Sequence, residues 1–327
     1  MLKRDQGGPK GRHLLGPVLL LALCNIGGVT FGASPGKEAT GGMNLAQALV
    51  LGVVEGITEY LPISSTGHLL LAQRAMGIGG GSQRSQSSEG SGRKEASDAY
   101  AICIQGGAIL AVLLLYRSRV RAMARGLLGR DPAGLRLALR VALAFMPAAL
   151  LGVALEARIK EHLFGLWPVV SAWLLGGVVI LSFFRSGGEG RGRVARPLED
   201  LSWRGAITVG LIQCVAMWPG VSRSLATILG GLLAGLSLPA AVEFSFLLGV
   251  VTLGAATVFD AVKHGQAMVQ FFDPTSMAAG FLSAFLSALM AVRWMVGYLE
   301  RRGLEIFGYY RIGLAVTVAA FSLLGFL

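Results

Sequence analysis

Charge is scarce in this chain. Asp, Glu, Lys and Arg make up 14% of 327 residues, too little to clothe the two soluble domains that length alone would suggest. Cysteine is scarcer still: Cys24, Cys103 and Cys214 all stand in apolar context, with neither metal-ligand nor disulfide spacing. Strict apolar/polar alternation is missing from the hydrophobic runs, which disfavours a membrane barrel. Acidic residues are outnumbered 18 to 29, giving a net charge of +11. In a soluble protein that excess would suggest nucleic acid. Here the arginines cluster between apolar runs, the pattern of cytoplasmic loops, so no nucleic-acid partner is expected.

What the chain has in quantity is apolar length. Hydrophobic residues reach 54% and the mean hydropathy is +0.63, with long runs recurring to the C-terminus. The reading is an all-α polytopic membrane protein. Its 47 glycines suit helices whose backbones touch, and permit a homodimer. Residues 1–43 read as a separate leader: Lys3, Arg4, Lys10 and Arg12 precede the apolar run Leu14–Cys24, then Gly32, Ala33 and Ser34, as in a signal peptide cleaved near Ala33 or an uncleaved anchor. Residues 44–327 form a single membrane domain, with a Gly/Ser-rich flexible linker at Gly77–Ser97. Full spans are expected at Asp98–Tyr116, Val141–Leu155, Trp167–Phe184, Ala240–Val262, Ser276–Leu299 and Ile306–Leu327.

One stretch breaks the apolar pattern. Val53–Ala72 (VVEGITEYLPISSTGHLLLA) carries Glu55, Glu59, Ser64, Ser65, Thr66 and His68 in a segment otherwise as apolar as a span. Glu55 and Glu59 share a helix face. Pro62 ends that helix, and the hydroxyl residues after it suit the start of another. Ionisable groups at membrane depth read as a functional site. The arms, Asn44–Glu59 and Thr66–Met76, are too short to span, so they form a hairpin entering and leaving on one side.

A second break lies at Trp218-Pro219-Gly220, inside Leu201–Leu236. Gly210-Leu211-Ile212-Gln213 echoes Gly52-Val53-Val54-Glu55, and a serine follows each proline by three residues, Ser65 or Ser222. Paired broken segments point to an inverted repeat, about 44–184 and 201–327, around a midplane site. Arginine-rich loops at Arg117–Arg140 and Arg185–Arg204 fall inside. This gives six spans plus two re-entrant hairpins of opposite orientation. Facing helix N-termini, Arg223 and the hydroxyls of Ser64, Thr66, Ser222, Ser224 and Thr227, with Gln213, then suit a phosphate. Glu55 and Glu59 make sense beside it as ligands of a divalent cation or as acids. The residues alone imply an intramembrane phosphate or diphosphate site, enzyme or transporter.

EGITEYLPISSTGHL (Glu55–Leu69) and PGVSRSLAT (Pro219–Thr227) closely resemble the signature motifs of the bacterial undecaprenyl-diphosphatase, or bacitracin-resistance, family. IQGGAILAV (Ile104–Val112), EFSFLLG (Glu243–Gly249) and Tyr310-Arg311 support the match, which runs from about Asn44 to the C-terminus. Leu225 stands where the family usually has glycine. The resemblance implies hydrolysis of undecaprenyl diphosphate to undecaprenyl phosphate and inorganic phosphate, recycling the lipid carrier for peptidoglycan synthesis and conferring bacitracin resistance. It implies a bacterial inner-membrane location with the site open to the outer face, contact with membrane lipids, and no organic cofactor. Glu55, Glu59, His68 and Arg223 match positions held essential. A divalent cation, Mg2+ or Ca2+, would sit on Glu55 and Glu59. Ser65 is the candidate nucleophile with His68 as its base; direct attack by water is the alternative. A phosphohistidine lipid phosphatase would need a histidine at position 229, which is leucine. A flippase of polyprenyl phosphates would use the same architecture.

Overall fold

The computed structural model describes residues 43–78, 88–185, 195–271 and 273–325. The leader expected at 1–43 lies outside the described residues apart from Met43, as does the linker between 79 and 87.

Helix α1 spans Leu45–Thr58. Asn44 opens it with a reciprocal capping box: its Oδ1 accepts from Gln47 N at 2.8 Å, and Gln47 Oε1 accepts from Asn44 N at 3.0 Å. The chain turns at Pro62, and α2 (Ser65–Ala75) returns. Helix α3 (Ser88–Leu115) begins inside the stretch expected to be linker. Arg93, Lys94, Glu95 and Ala96 are strong helix formers and outweigh the serines and glycines before them.

The arginine-rich segment expected to be a loop is instead α4 (Arg117–Leu127), bent 84° from α3. Arg117, Arg121 and Arg125 recur every four residues, while Val120 and Met123 lie on another side and pack on the core. Helix α5 (Pro132–Leu163) starts with Asp131 as cap and Pro132 in its first turn, and continues through Pro147. It begins nine residues before the span expected from Val141. Then come α6 (Leu166–Arg185), a short 3-10 turn at Leu198–Asp200 and α7 (Trp203–Gln213). A further 3-10 turn (Cys214–Met217) leads to α8 (Arg223–Leu233). The chain closes with α9 (Leu238–Phe271), α10 (Pro274–Leu299) and α11 (Glu305–Leu323).

The chain is an all-helical, multi-pass membrane protein. Among the described residues five helices are long and apolar enough to cross: α5 to Leu155, α6, α9 to Phe259, α10 and α11. The apolar part of α3, Tyr100–Leu115, is shorter than the roughly 20 residues a crossing needs, and makes a sixth candidate only together with α4. The arms α1, α7 with its 3-10 turn, and α8 are shorter apolar helices. Among the described residues the sole extended pairing is an isolated bridge between Arg196 and Leu236.

Packing interleaves the first and second halves of the chain. Helix α1 lies on α10, α7 on α5, α3 on α9 and α10, and α6 on α11. The α1–α10 contact is close because Gly52 and Gly56 have no side chain. A Cβ on Gly52 would strike Gly280 O and Ser283 Oγ, and one on Gly56 would strike Ala284 O and Ser287 Oγ. At one end, Arg119 donates to Glu243 and to Glu199, both at 2.7 Å, joining α4 to α9 and to the turn before α7. The Glu199 carboxyl is held below its usual range by a hydrogen bond from its own backbone and by Arg119.

Replacing Gly56 by leucine should lower the thermal unfolding midpoint in detergent by several degrees, an overpacking cost of about 1–3 kcal/mol. The same change at Gly254, where a Cβ meets nothing within 4 Å, should leave the midpoint in place.

Candidate active site

Two turns, far apart in sequence, meet between the helices. In each, the residue before the returning helix has a left-handed backbone: Ser64 at φ 73, ψ 105 and Ser222 at φ 76, ψ 116. Among the described residues these are the two non-glycine positions with positive φ. Such conformations cost on the order of 1–3 kcal/mol and concentrate at functional sites. They also correct the expected register. Ser222 corresponds to Ser64, not Ser65, because the proline follows Gln213 one residue sooner than Pro62 follows Glu55. Ser65 and Arg223 are therefore the first residues of α2 and α8.

Glu59 joins them. Its carboxylate is 7% exposed. Oε1 accepts from Arg223 Nη2 at 3.2 Å and Oε2 accepts the Ser65 hydroxyl hydrogen. Arg223 also donates to Ser245 O at 3.1 Å and lies over the Tyr60 ring at 5.1 Å. Gly249 leaves room for it, since a Cβ there would overlap the guanidinium. Glu55 sits one turn below Glu59, within its electrostatic reach and that of Arg223. Three buried polar atoms around this node have no hydrogen-bond partner among the described residues: Glu55 Oε2, Tyr60 OH and Arg223 Nε. Native interiors leave few such groups, so these are where a ligand would bind.

His68 is engaged elsewhere. Its Nδ1 lies 2.6 Å from Ser64 O and its Nε2 lies 2.7 Å from Tyr310 OH. The expected Ser65–His68 pair is thus not formed: the first turn of α2 aims the imidazole away from the node, and Ser65 bonds Glu59. Ser224 donates to Leu61 O at 2.9 Å, with Ser222 Oγ 2.9 Å from Ser224 Oγ, so both hydroxyls tie the second turn to the first. Thr227 Oγ1 lies 2.6 Å from Ser245 Oγ. Gln213 is buried; Thr252 donates to its Oε1 at 3.5 Å and its Nε2 is unpartnered. Thr66 is exposed.

A profile of the family described as bacitracin resistance protein BacA matches residues 48–317. The chain belongs to that family. It is 43% identical over 272 residues to an undecaprenyl-diphosphatase of Sorangium cellulosum, covering 83% of this chain and 84% of that one. Undecaprenyl-diphosphatase 2 of Rhodospirillum rubrum is 42% identical over 280 residues, 85% of this chain and 96% of the relative. An undecaprenyl-diphosphatase of Nitrosospira multiformis is 40% identical over 276 residues, with coverages of 84% and 93%.

Leu225, expected to depart from the family pattern, takes a place in the core at the second turn. Its side chain is 2% exposed in the main core, and its N–H donates to Ser222 Oγ at 3.3 Å. Arg311 has no role in the expectations from sequence, although an arginine inside an apolar span carries the same signal as the glutamates. Arg311 is fully buried and donates to five carbonyls. Nη2 reaches Ala172 O at 2.8 Å and Gly220 O at 2.9 Å; Nη1 reaches Val221 O at 3.1 Å and Pro62 O at 3.2 Å; Nε reaches Trp173 O at 3.4 Å. One guanidinium thus holds both turns against α6. Ser245 was also missed, as an isolated hydroxyl in an apolar run gives no pattern.

Arg311→Leu should strand those carbonyls, each at a cost of about 1–3 kcal/mol. Hydrogen exchange should quicken at residues 61–64 and 220–223 together, with Arg311→Lys restoring only part of the protection. Exchange unchanged in the leucine variant would remove this role.

Proposed function

We propose that this protein hydrolyses undecaprenyl diphosphate to undecaprenyl phosphate and inorganic phosphate, returning the lipid carrier to peptidoglycan synthesis. The observation that carries the reading is the Ser65–Glu59–Arg223 bridge at the starts of two facing helices, in a chain whose relatives are named undecaprenyl-diphosphatase. The finer topology we propose is six spans plus two re-entrant hairpins, α1–α2 and α7–α8, in an inverted repeat. Its support is the exchange in which α1 packs on α10 and α7 on α5, together with the matched backbones of Ser64 and Ser222. The protein would lie in the bacterial inner membrane with the site open to the outer face.

The chemistry follows from the donors. The unpartnered Nε of Arg223, with the free N–H groups at the starts of α2 and α8, takes the phosphate oxygens. In the covalent route Ser65 Oγ attacks the terminal phosphorus, and its proton passes to Glu59, the acceptor already in place. The bond from that phosphorus to the bridging oxygen breaks, and undecaprenyl phosphate leaves. Water then attacks the phosphoserine, losing a proton to solvent; the P–Oγ bond breaks, inorganic phosphate leaves, and Glu59 returns its proton to Ser65 Oγ. The Arg223 charge stabilises the negative charge that develops on the phosphoryl oxygens.

The residues fit a divalent cation in part. Glu55 Oε2 is a buried acceptor without a partner, whereas both oxygens of Glu59 are engaged. No group of three or more His, Cys, Asp or Glu is gathered among the described residues. Glu55 would be the chief protein ligand, the remainder being water and substrate oxygens, as Mg2+ favours. Bound there, the cation would offset the charge of the diphosphate.

The test is phosphate release from undecaprenyl diphosphate by purified protein in detergent, with and without chelator. Arg223→Ala and Glu59→Gln should each lower kcat/KM by about a thousandfold, and chelation should stop turnover until the metal is restored. Ser65→Ala retaining most activity would replace the covalent route by direct attack of water. Diphosphate left intact by the unaltered protein with metal supplied would favour a carrier of the same lipid.

A further inference from the structure

Tyr310 has no assigned role, yet it is the outer end of a bonded chain that reaches the centre of the site. Its hydroxyl lies 2.7 Å from His68 Nε2, and its ring stacks on the imidazole at 5.8 Å with 9° between the planes. Trp173, fully buried, packs edge-on against the same imidazole at 5.5 Å. The other ring nitrogen, Nδ1, is 2.6 Å from the Ser64 carbonyl.

The carbonyl fixes the direction of every bond in the chain. A carbonyl oxygen can only accept, so Nδ1 carries a hydrogen and donates. An imidazolium here would face the nearby Arg311 cation with no carboxylate bonded to it among the described residues. The neutral ring is the consistent form, and its Nε2 is then an acceptor that takes the Tyr310 hydroxyl hydrogen.

We infer that Tyr310 is a positioning residue for the reaction: by donating to His68 Nε2 it holds the imidazole as the Nδ1–H tautomer, and so secures the Ser64 carbonyl that sets Ser65 against Glu59. Ser64 is where the backbone most needs holding, because its φ of 73 is a conformation L-residues avoid. The imidazole bond on its carbonyl favours that conformation. Ser65 follows directly, and its hydroxyl meets Glu59. The order is Tyr310, His68, Ser64, Ser65, Glu59, Arg223, running from α11 through α2 and α1 to α8. His68 thus acts through the backbone and not as the base of Ser65.

This inference rests on the proposed hydrolysis for its kinetic arm alone. Full-length protein with 15N-labelled histidine, purified in detergent, should show a His68 pair of one protonated and one hydrogen-bonded acceptor nitrogen, assigned by its loss in His68→Asn. Tyr310→Phe keeps the stacked ring and removes the donor. Its Nε2 resonance should move to the position of a free acceptor or the tautomer should become mixed, and kcat should fall about tenfold with KM within about twofold. The unfolding midpoint should stay at its original value. Tyr310→Leu, which also loses the ring, should lower the midpoint as well. Unchanged His68 resonances in Tyr310→Phe would overturn the contact, and an unchanged kcat would overturn the positioning role. Should the unaltered protein release no phosphate at all, the hydrolysis reading fails while the spectrum still judges Tyr310.

Discussion

A carboxylate enclosed by apolar helices cannot stay ionised without a partner, and the partner of Glu59 comes from the other half of the chain. The Glu59–Arg223 pair joins side chains that are 5% and 10% exposed. Breaking such a buried pair from one side leaves an uncompensated charge, at a cost of about 3–5 kcal/mol. The pair is therefore both a fastener and a source of chemistry. It holds the start of α8 against the end of α1, and it leaves the Arg223 Nε–H without an acceptor among the described residues. The Ser65 hydroxyl donates to the other carboxylate oxygen, so the start of α2 is tied to the same acid as the start of α8.

Around that pair the apolar architecture explains itself as support. Small residues on α1 let it seat against α10, bringing Glu55 and Glu59 to depth on a rigid arm. The Tyr60 ring lies under the Arg223 guanidinium with Phe246 edge-on behind it, and the absence of a side chain at Gly249 keeps the path of the arginine open. Trp173 donates from its indole to Ile63 O at 3.1 Å, fixing the first turn from α6.

Much of this was legible in the chain itself. The two proline breaks, the paired glutamates and the serine–arginine cluster stand out because polar groups are costly at membrane depth, and they are the residues the fold gathers. The register between the two turns was off by one, since prolines were aligned where backbone conformation is what repeats. Residue type does not announce a positive φ at a serine. The pairing of Ser65 with His68 rested on nearness in sequence, and the direction of the imidazole depends on Tyr310, more than two hundred residues away. Helix α4 was hidden by its charge: periodicity in arginines was read as loop composition, though the same spacing builds a helix with an apolar side.

The carbonyls gathered by Arg311 have a mechanical consequence. Because the guanidinium holds Pro62 of the first turn, Gly220 and Val221 of the second, and the Ala172–Trp173 edge of α6, neither turn can swing away alone without tearing contacts from the other. Any displacement of one turn must therefore carry the other with it, so the two turns move as one block hinged on a single guanidinium.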